Sequence, residues 1–354
     1  MSNWLCTREA VKRAAQINGA DKDPQVDRII EAVSRQIERE TRRYFIPRTQ
    51  TRLYRWPPRR RGYTSYILWL DQDLLSLTTL QTKAQDSSPT TIVAADYFLE
   101  PNNQSPYHSI EIDLSSTAVF ESGATPQRSI SVLGSWGYSN DTLSAGTVSS
   151  GLAADAAATS MVCSRADLIG VGNTLLIQSE QIFVVTRSFA ARGGILLDMA
   201  GNLAANMATV AVTVDASHGI NAGETIRIDT EEMYVTNVAT DILTVIRAWN
   251  GTVLALHNDN TAIHINRTLT IERGKNGTTG ATHADATAIS VYEPPLDVTQ
   301  LAVAESIAML HQEGSGWGRS VGIGEEGREL EGRELGRYRK MTLGHYRRVL
   351  MEAV

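Results

Sequence analysis

Cysteine is nearly absent from this chain of 354 residues: only Cys6 and Cys163 occur, far apart, too little sulfur for a disulfide framework or a cysteine-rich zinc site. Long apolar runs are missing too. No stretch approaches the ~18 consecutive apolar residues that cross a bilayer, so a soluble chain with no membrane partner is expected. Met1-Ser2-Asn3-Trp4 leads straight into charged residues, without the basic and apolar regions of a secretory signal, which points to a cytoplasmic, non-secreted origin. Gly-x-Ser-x-Gly, His-Glu-x-x-His and Cys-x-x-Cys are all lacking, which disfavours the enzyme classes built on them. The glycines from Gly314 to Gly318 and at Gly322 and Gly324 have no Gly-Lys-Ser/Thr ending, so a flexible loop is expected rather than a phosphate cradle.

What is present is a globular composition, 42% hydrophobic and 20% charged, long enough for about two domains. Basic and acidic side chains number 33 and 39, a net charge of −6, but the charge is segmented. Residues 28–61 hold eleven Arg and three Glu, whereas residues 145–290 hold thirteen acids and eight bases. An arginine-rich face can meet nucleic acid or an acidic protein partner, and the interspersed Glu31, Glu38 and Glu40 argue against a pure phosphate-binding surface. The plainer reading is a solvated helix face laced with ion pairs.

Asp23-Pro24 predicts a helix start, Asp as cap and Pro at the first helical position. Val26, Ile30, Val33 and Ile37 then recur at helical spacing. A shorter helix is expected over 7–17, stopping at Asn18-Gly19, and another over 298–310 after Pro294-Pro295. Between these ends the period changes to that of strands, at Thr49 to Trp56, 66–70, 77–80, 96–99, 109–114 and 129–133. The Ser/Gly/Thr/Ala-rich stretch 140–158 reads as a linker or domain edge.

The middle contains internal repeats, which bear on the fold before any other pattern. Residues 171–184 align with 222–235 at an offset of 51, and Leu243-Thr244-Val245-Ile246-Arg247, Asn250-Gly251-Thr252 and His257 align with Leu269-Thr270-Ile271-Glu272-Arg273, Asn276-Gly277-Thr278 and His283 at an offset of 26. The half-motifs run first, first, second, second, so the expectation is nesting: a β-module at about 210–266 inserted within another with halves near 159–187 and 268–291. A single layered barrel is the alternative. His257 and His283, each followed by Asp259 or Asp285, are too sparse for zinc and are expected to serve a turn. Asn250-Gly251 and Asn276-Gly277 read as hairpin turns. Asp229, Glu231 and Glu232 could hold calcium, but the partner copy reads Gln178, Ser179, Glu180 and Gln181; strand alternation would place Asp229 and Glu231 on one solvated face. No cofactor or metal is expected.

The run from Ala32 to Gln50, Ala32-Val33-Ser34-Arg35-Gln36-Ile37-Glu38-Arg39-Glu40-Thr41-Arg42-Arg43-Tyr44-Phe45-Ile46-Pro47-Arg48-Thr49-Gln50, resembles the end of the first long helix, the apolar exit and the following strand of tailed-bacteriophage head–tail connector proteins. Val132-Leu133-Gly134-Ser135-Trp136-Gly137-Tyr138 resembles the last strand of their sheet, and Pro294-Pro295 with the helix from Val298 resembles their link into a closing helix. The resemblance covers roughly the first 140 and last 60 residues; the middle departs from it and is similar to β-modules that recur in phage virion proteins.

The resemblance implies an α+β protein: a helical connector core with a small antiparallel sheet over 1–144 and 291–354, a flexible C-terminal arm from about 314, and an inserted all-β domain of two related modules over 145–290. It implies a structural virion protein at the head–tail interface, assembled in the host cytoplasm, and not an enzyme. It would form an adaptor ring, twelve copies being the family's expectation, that contacts the portal protein, neighbouring copies and a tail-side connector or tail terminator, with genomic DNA passing through the channel without sequence-specific binding. Candidate partner-binding residues are Arg35, Arg39, Arg42 and Arg43 on the arginine-rich face. Arg337, Arg339, Lys340, Arg347 and Arg348 are candidates on the arm, after its acidic part at Glu325, Glu326, Glu329, Glu331 and Glu334. The competing reading is a tail, baseplate or host-surface-binding protein whose β-modules carry recognition.

Overall fold

A computed structural model describes residues 3–56, 66–153, 158–314, 320–321, 328–329 and 333–348. Helix α1 (Arg8–Ala14) opens where the Thr7 hydroxyl accepts the Ala10 amide at 3.2 Å, satisfying one of the orphan donors of the first turn. Helix α2 (Asp23–Thr41) carries Pro24 in its first turn and ends at Arg42 in the left-handed region. Asp23 lies inside the helix and is no cap; its carboxylate takes Lys12 and Arg8 instead. Val26, Ile30, Val33 and Ile37, joined by Ile29, form the buried stripe that the spacing predicts.

Six strands make the first antiparallel sheet: β1 (Arg48–Tyr54), β2 (Ile67–Thr82), β3 (Thr90–Ile92), β4 (Tyr97–Glu100), β5 (Tyr107–Ile112) and β6 (Ile130–Trp136), in the order β1-β6-β2-β5-β4 with β3 on β2. β2 runs unbroken through what reads in sequence as two strands, and the apparent break becomes a set of register shifts against β5 and β6.

The second antiparallel sheet has ten strands: β7 (Thr142–Thr147), β8 (Ser160–Val162), β9 (Thr174–Ile177), β10 (Glu180–Leu196), β11 (Ala211–Thr213), β12 (Thr225–Ile228), β13 (Glu231–Ala239), β14 (Ile242–Ile246), β15 (Ala262–Glu272) and β16 (Ala288–Tyr292). Their order is β11-β14-β13-β12-β15-β10-β9-β16-β7, with β8 on β15. Helix α3 (Leu296–Gly314), the antiparallel pair β17 (Ser320–Val321) and β18 (Arg328–Glu329), and helix α4 (Arg333–Tyr346) follow.

Among the described residues the chain is therefore mostly β, with four α-helices and about 21% of residues helical once the short 3-10 turns are included. The expected helical connector core with a small sheet is wrong. The helices do share one apolar cluster, from Leu5 through Ile30, Ile37 and Leu301 to Tyr346, but two large sheets dominate. Pairing between strands distant in sequence builds those sheets, and local periodicity does not report it. Residues 140–158 illustrate the error, because part of the expected linker is β7, paired with β16.

The sequence repeats appear as two structural modules that share β10 and β15, which pair with each other from Phe183↔Glu272 to Leu196↔Ala262. The chain passes along β10 from the outer module into the inner one, residues 195–266, and returns along β15. The apolar side chains divide into two clusters, one containing Leu175, Val184 and Leu269 and the other containing Ile226, Val235 and Leu243. Backbone detail repeats as well. Gln178 and Asp229, Asn276 and Asn250, and Ala286 and Asn260 share positive φ within 4° pair by pair, and the bridge Leu152↔His283 recurs as Leu203↔His257. Neither Asn-Gly pair forms a hairpin; each sits in a 3-10 turn leading into a longer loop.

Candidate functional site

Each module buries the same charged trio. In the outer one, Glu180 accepts Nε of Arg273 at 2.9 Å and Nε2 of His283 lies 2.8 Å from the carboxylate, while the amides of Gly274 and Ala281 donate at 3.1 and 3.0 Å. In the inner one, Glu231 takes Arg247, His257, Ala248 and Ala255 in the same roles at 2.7, 2.9, 3.0 and 2.9 Å. The remaining guanidinium protons go to the carbonyls of Ala153 and Ala281, or of Ala204 and Ala255. Burial opposes ionisation of both carboxyls, yet the guanidinium, the amides and the imidazole outweigh it and hold Glu180 and Glu231 down at about 2. These groups are saturated by their own module, and the loop carrying each histidine is pinned by them. Asp229 and Glu231 do not share a solvated face: Glu231 is buried, while exposed Asp229 turns back to Nδ1 of His257 at 2.8 Å. Asp259 accepts the Met199 amide and Asp285 the Ala286 amide. Among the described residues no group of three or more His, Cys, Asp or Glu is placed to hold a metal ion.

A third buried pair joins the modules. Glu224 takes Nε and Nη2 of Arg267, each at 2.6 Å, and the Ala166 amide of the outer module. Both cysteines are buried, and desolvation pushes their thiols up to about 12, which leaves them inert as nucleophiles near neutral pH.

A large cleft lies between the N-terminal segment and the two modules, lined among others by Glu9, Arg187, Tyr234 and Trp249. One ion pair crosses the seam, Arg187 with Glu9 at 3.3 Å, while Arg8 pairs within the N-terminal segment with Asp23 and Asp27. The outer module is bolted to the rest of the chain here. Arg8 donates its amide to Val171, Val171 donates to Glu9, and the Trp4 ring meets Phe183 edge-on at 5.6 Å.

The structure separates the candidate partner-binding arginines into two kinds. Arg43 and Arg348 converge on Asp73, whose side chain is fully buried, and they also donate to the carbonyls of Tyr346 and Leu70. Arg339 bridges Glu40 and Glu305, tying α4 to α2 and α3. These three are internal clamps, so a partner cannot use them without opening the fold. Arg35, Arg39 and Arg42 are exposed and line an open groove with Glu38, Tyr44, Arg48 and Gln72. Arg35 pairs with Glu31 at 2.5 Å; Arg39 and Arg42 have no ion pair among the described residues. On the groove floor Arg48 stacks 3.9 Å from the Tyr44 ring centre and bonds Glu38 at 2.8 Å, whose burial raises its carboxyl above the ordinary value. Arg337, Lys340 and Arg347 are exposed on and just after α4, with Glu334. Far from being a free arm, 333–348 are packed: Leu343 and Tyr346 belong to the helical cluster. Glu325, Glu326 and Glu331 lie outside the described residues, and of Glu329 only the backbone is described, in β18.

Sequence reading passes over Asp73 and Glu224, and it reads Glu231 and its counterpart Glu180 only as a weak calcium candidate on a solvated face, where both are buried. Recurrence of Glu, Arg and His at the two fixed offsets was a visible signal for two of these carboxylates; nothing local marked Asp73 or Glu224. No family model, no curated protein and no solved structure matches this chain.

Proposed function

We propose that this chain is a structural virion protein that forms an adaptor ring between the portal and the tail of a tailed bacteriophage. The observation that carries this reading is convergence. The three stretches that resemble connector proteins are distant in sequence but adjacent in the fold: β1 pairs with β6 from Arg48↔Trp136 to Tyr54↔Ile130, the Tyr138 amide donates to the Tyr44 carbonyl at 2.7 Å, and α3 packs with α2 in the helical cluster. The groove of Arg35, Arg39 and Arg42 lies at the end of α2 in this same region and supplies a cationic surface for an acidic protein face, which favours encounter and register more than raw affinity. The buried trios of the modules are internally satisfied, which supports a scaffold role over catalysis. Partners in this reading are the portal, neighbouring copies in a ring expected to have twelve members, and a tail-side connector or terminator, with DNA passing through the lumen.

The test is immunogold electron microscopy of virions with antibodies against 145–290 and against a core peptide. Gold at the vertex between head and tail is the expected result. Gold at the distal tail would instead favour the recognition protein, and absence from particles would overturn both.

A further inference from the structure

The two modules share a backbone and a buried trio but not a surface. In the outer module the loop after the last arginine of the trio reads Lys275, Thr279 and Thr282, preceded by Glu272; at the matching positions the inner module carries Trp249, Val253, Leu256 and Ile246. Val253 is 79% exposed and Leu256 55%, with Ile246 close behind at 44%. Trp249 stacks on Tyr234 at 5.0 Å, and Tyr234 faces Ile246 across the β13–β14 pair. The rim changes in the opposite sense. Gln178 and Gln181 of the outer module become Asp229 and Glu232, whereas Asp259 is matched by Asp285 and does not change. Residues 195–266 hold eight acids and two bases, whereas 142–192 together with 267–292 hold five acids and six bases.

Trp249 and Tyr234 line the cleft facing the N-terminal segment, so the fold accounts for that part of the divergence, but it does not account for exposed Val253 and Leu256. Exposed Val and Leu in place of Thr give no stability to a loop already pinned by Glu231, Arg247 and His257. An apolar centre with a charged rim is the composition of a protein–protein contact. The outer loop is docked tightly within the chain, where the Asn276 side chain bonds Asn3 and Gln181 and a Cβ on Gly277 would strike the Thr49 carbonyl of β1. The inner loop approaches the N-terminal segment around Gly251 and Trp249 and leaves Val253 and Leu256 exposed.

We propose that the inner-module loop from Ile246 to Leu256, with its acidic rim at Asp229 and Glu232, docks on the arginine-lined groove of a second copy of this chain. Charge complementarity selects the occupant. Arg39 and Arg42 stand exposed without ion pairs among the described residues, beside Arg35 and Arg48, in a groove whose Glu38 Oε1 and Arg48 Nε lack hydrogen-bond partners. Loop and groove are different surfaces of one chain, so the contact is heterologous and propagates into a ring or an open filament. The choice of a second copy rests on the ring reading above.

The test is photo-crosslinking of the full chain carrying Val253→p-benzoylphenylalanine, both as concentrated purified protein and in assembled particles. The expected result is an adduct of twice the chain mass in at least one preparation, joined to residues 35–48 of the second copy. Its yield should fall at least tenfold with Arg39→Glu and Arg42→Glu, and likewise with Leu256→Thr, which only installs the outer-module residue. An adduct to another protein or another segment, or no adduct in either preparation, overturns the proposal. Vertex location without this adduct rejects the surface alone, whereas a self-adduct from a protein absent from the vertex keeps the surface and rejects the virion ring.

Discussion

Arg247 donates to Glu231 through two parallel hydrogen bonds, Nε to Oε1 at 2.7 Å and Nη2 to Oε2 at 2.8 Å, with no solvent reaching either side chain. The same fork recurs between Arg273 and Glu180. Breaking one partner of a buried pair leaves the other charge without compensation, at about 3–5 kcal/mol. Arg247→Met is therefore expected to lose that amount in urea unfolding, and Arg247→Met with Glu231→Leu to recover part of it. A single-variant cost below about 1 kcal/mol would falsify the structural role assigned to the trio.

The trios also set acid sensitivity. Folded-state values near 2 lie below the ordinary 4.5 of a glutamate, so the stability they add is fully present above pH ~4.5 and drains away as pH falls toward 2. Each carboxylate accounts for on the order of 3 kcal/mol across that window. Melting temperature is expected to fall steeply between pH 4.5 and 2 in the wild type and less steeply in Glu180→Gln, which starts lower at pH 7 and has no charge to lose.

Gly277 and Gly251 occupy matching turns with φ of +82° and +77°. A Cβ at Gly277 would stand 1.9 Å from the Thr49 carbonyl oxygen, whereas one at Gly251 would meet Gly19 at an ordinary 3.6 Å. Both alanine substitutions carry the left-handed strain of about 1 kcal/mol, and only Gly277→Ala adds a collision with backbone. Denaturant midpoints should separate the two, Gly277→Ala being the more destabilised by at least another ~1 kcal/mol; equal losses would contradict the docking of the outer turn on β1.

Asp73 holds the segment just after α4 in place through Arg348, and also takes Arg43. With Asp73→Asn the two guanidinium groups face a neutral amide, and α4 loses its anchor. Hydrogen exchange over 333–348 is expected to accelerate by at least tenfold, with little change in β12 and β13 of the inner module. Uniform acceleration throughout the chain would show global destabilisation instead.

Exposed Arg39 and Arg42 make no clamp, so Arg39→Glu with Arg42→Glu should alter unfolding stability by no more than ~0.5 kcal/mol while abolishing incorporation into virions. Arg43→Glu cannot serve this purpose, because it strikes the Asp73 clamp. Normal incorporation of the double variant, measured by immunoblot of purified particles, would remove the groove from the assembly reading.

Local order was legible where one element answers to its own residues. The apolar stripe from Val26 to Ile37 appears as the buried face of α2, Asn18-Gly19 lies beyond the end of α1, and α3 begins just after Pro294-Pro295. The offsets of 51 and 26 match Glu180 to Glu231 and His283 to His257 from the sequence alone. What those residues do was not legible: Glu180 and Arg273 are 93 positions apart, and no spacing rule says that a strand end and a loop base will meet in a dry interior. The arginines misled in the same way, since Arg42 and Arg43 are neighbours in sequence but one lies in the open groove and the other on buried Asp73.

The sequence by itself determined α1, α2 and α3, the strands β1, β4, β5 and β6 of the first sheet, the duplication of the β-module and the uneven distribution of charge, because each follows from periodicity, turn chemistry or composition within a short window. Only the tertiary structure decided that the chain is mostly β, that β10 and β15 are shared by both modules, and which charges are clamps and which are open. Strand pairing and the burial of a charge are settled between residues far apart along the chain, through loop closure and desolvation that no local pattern encodes.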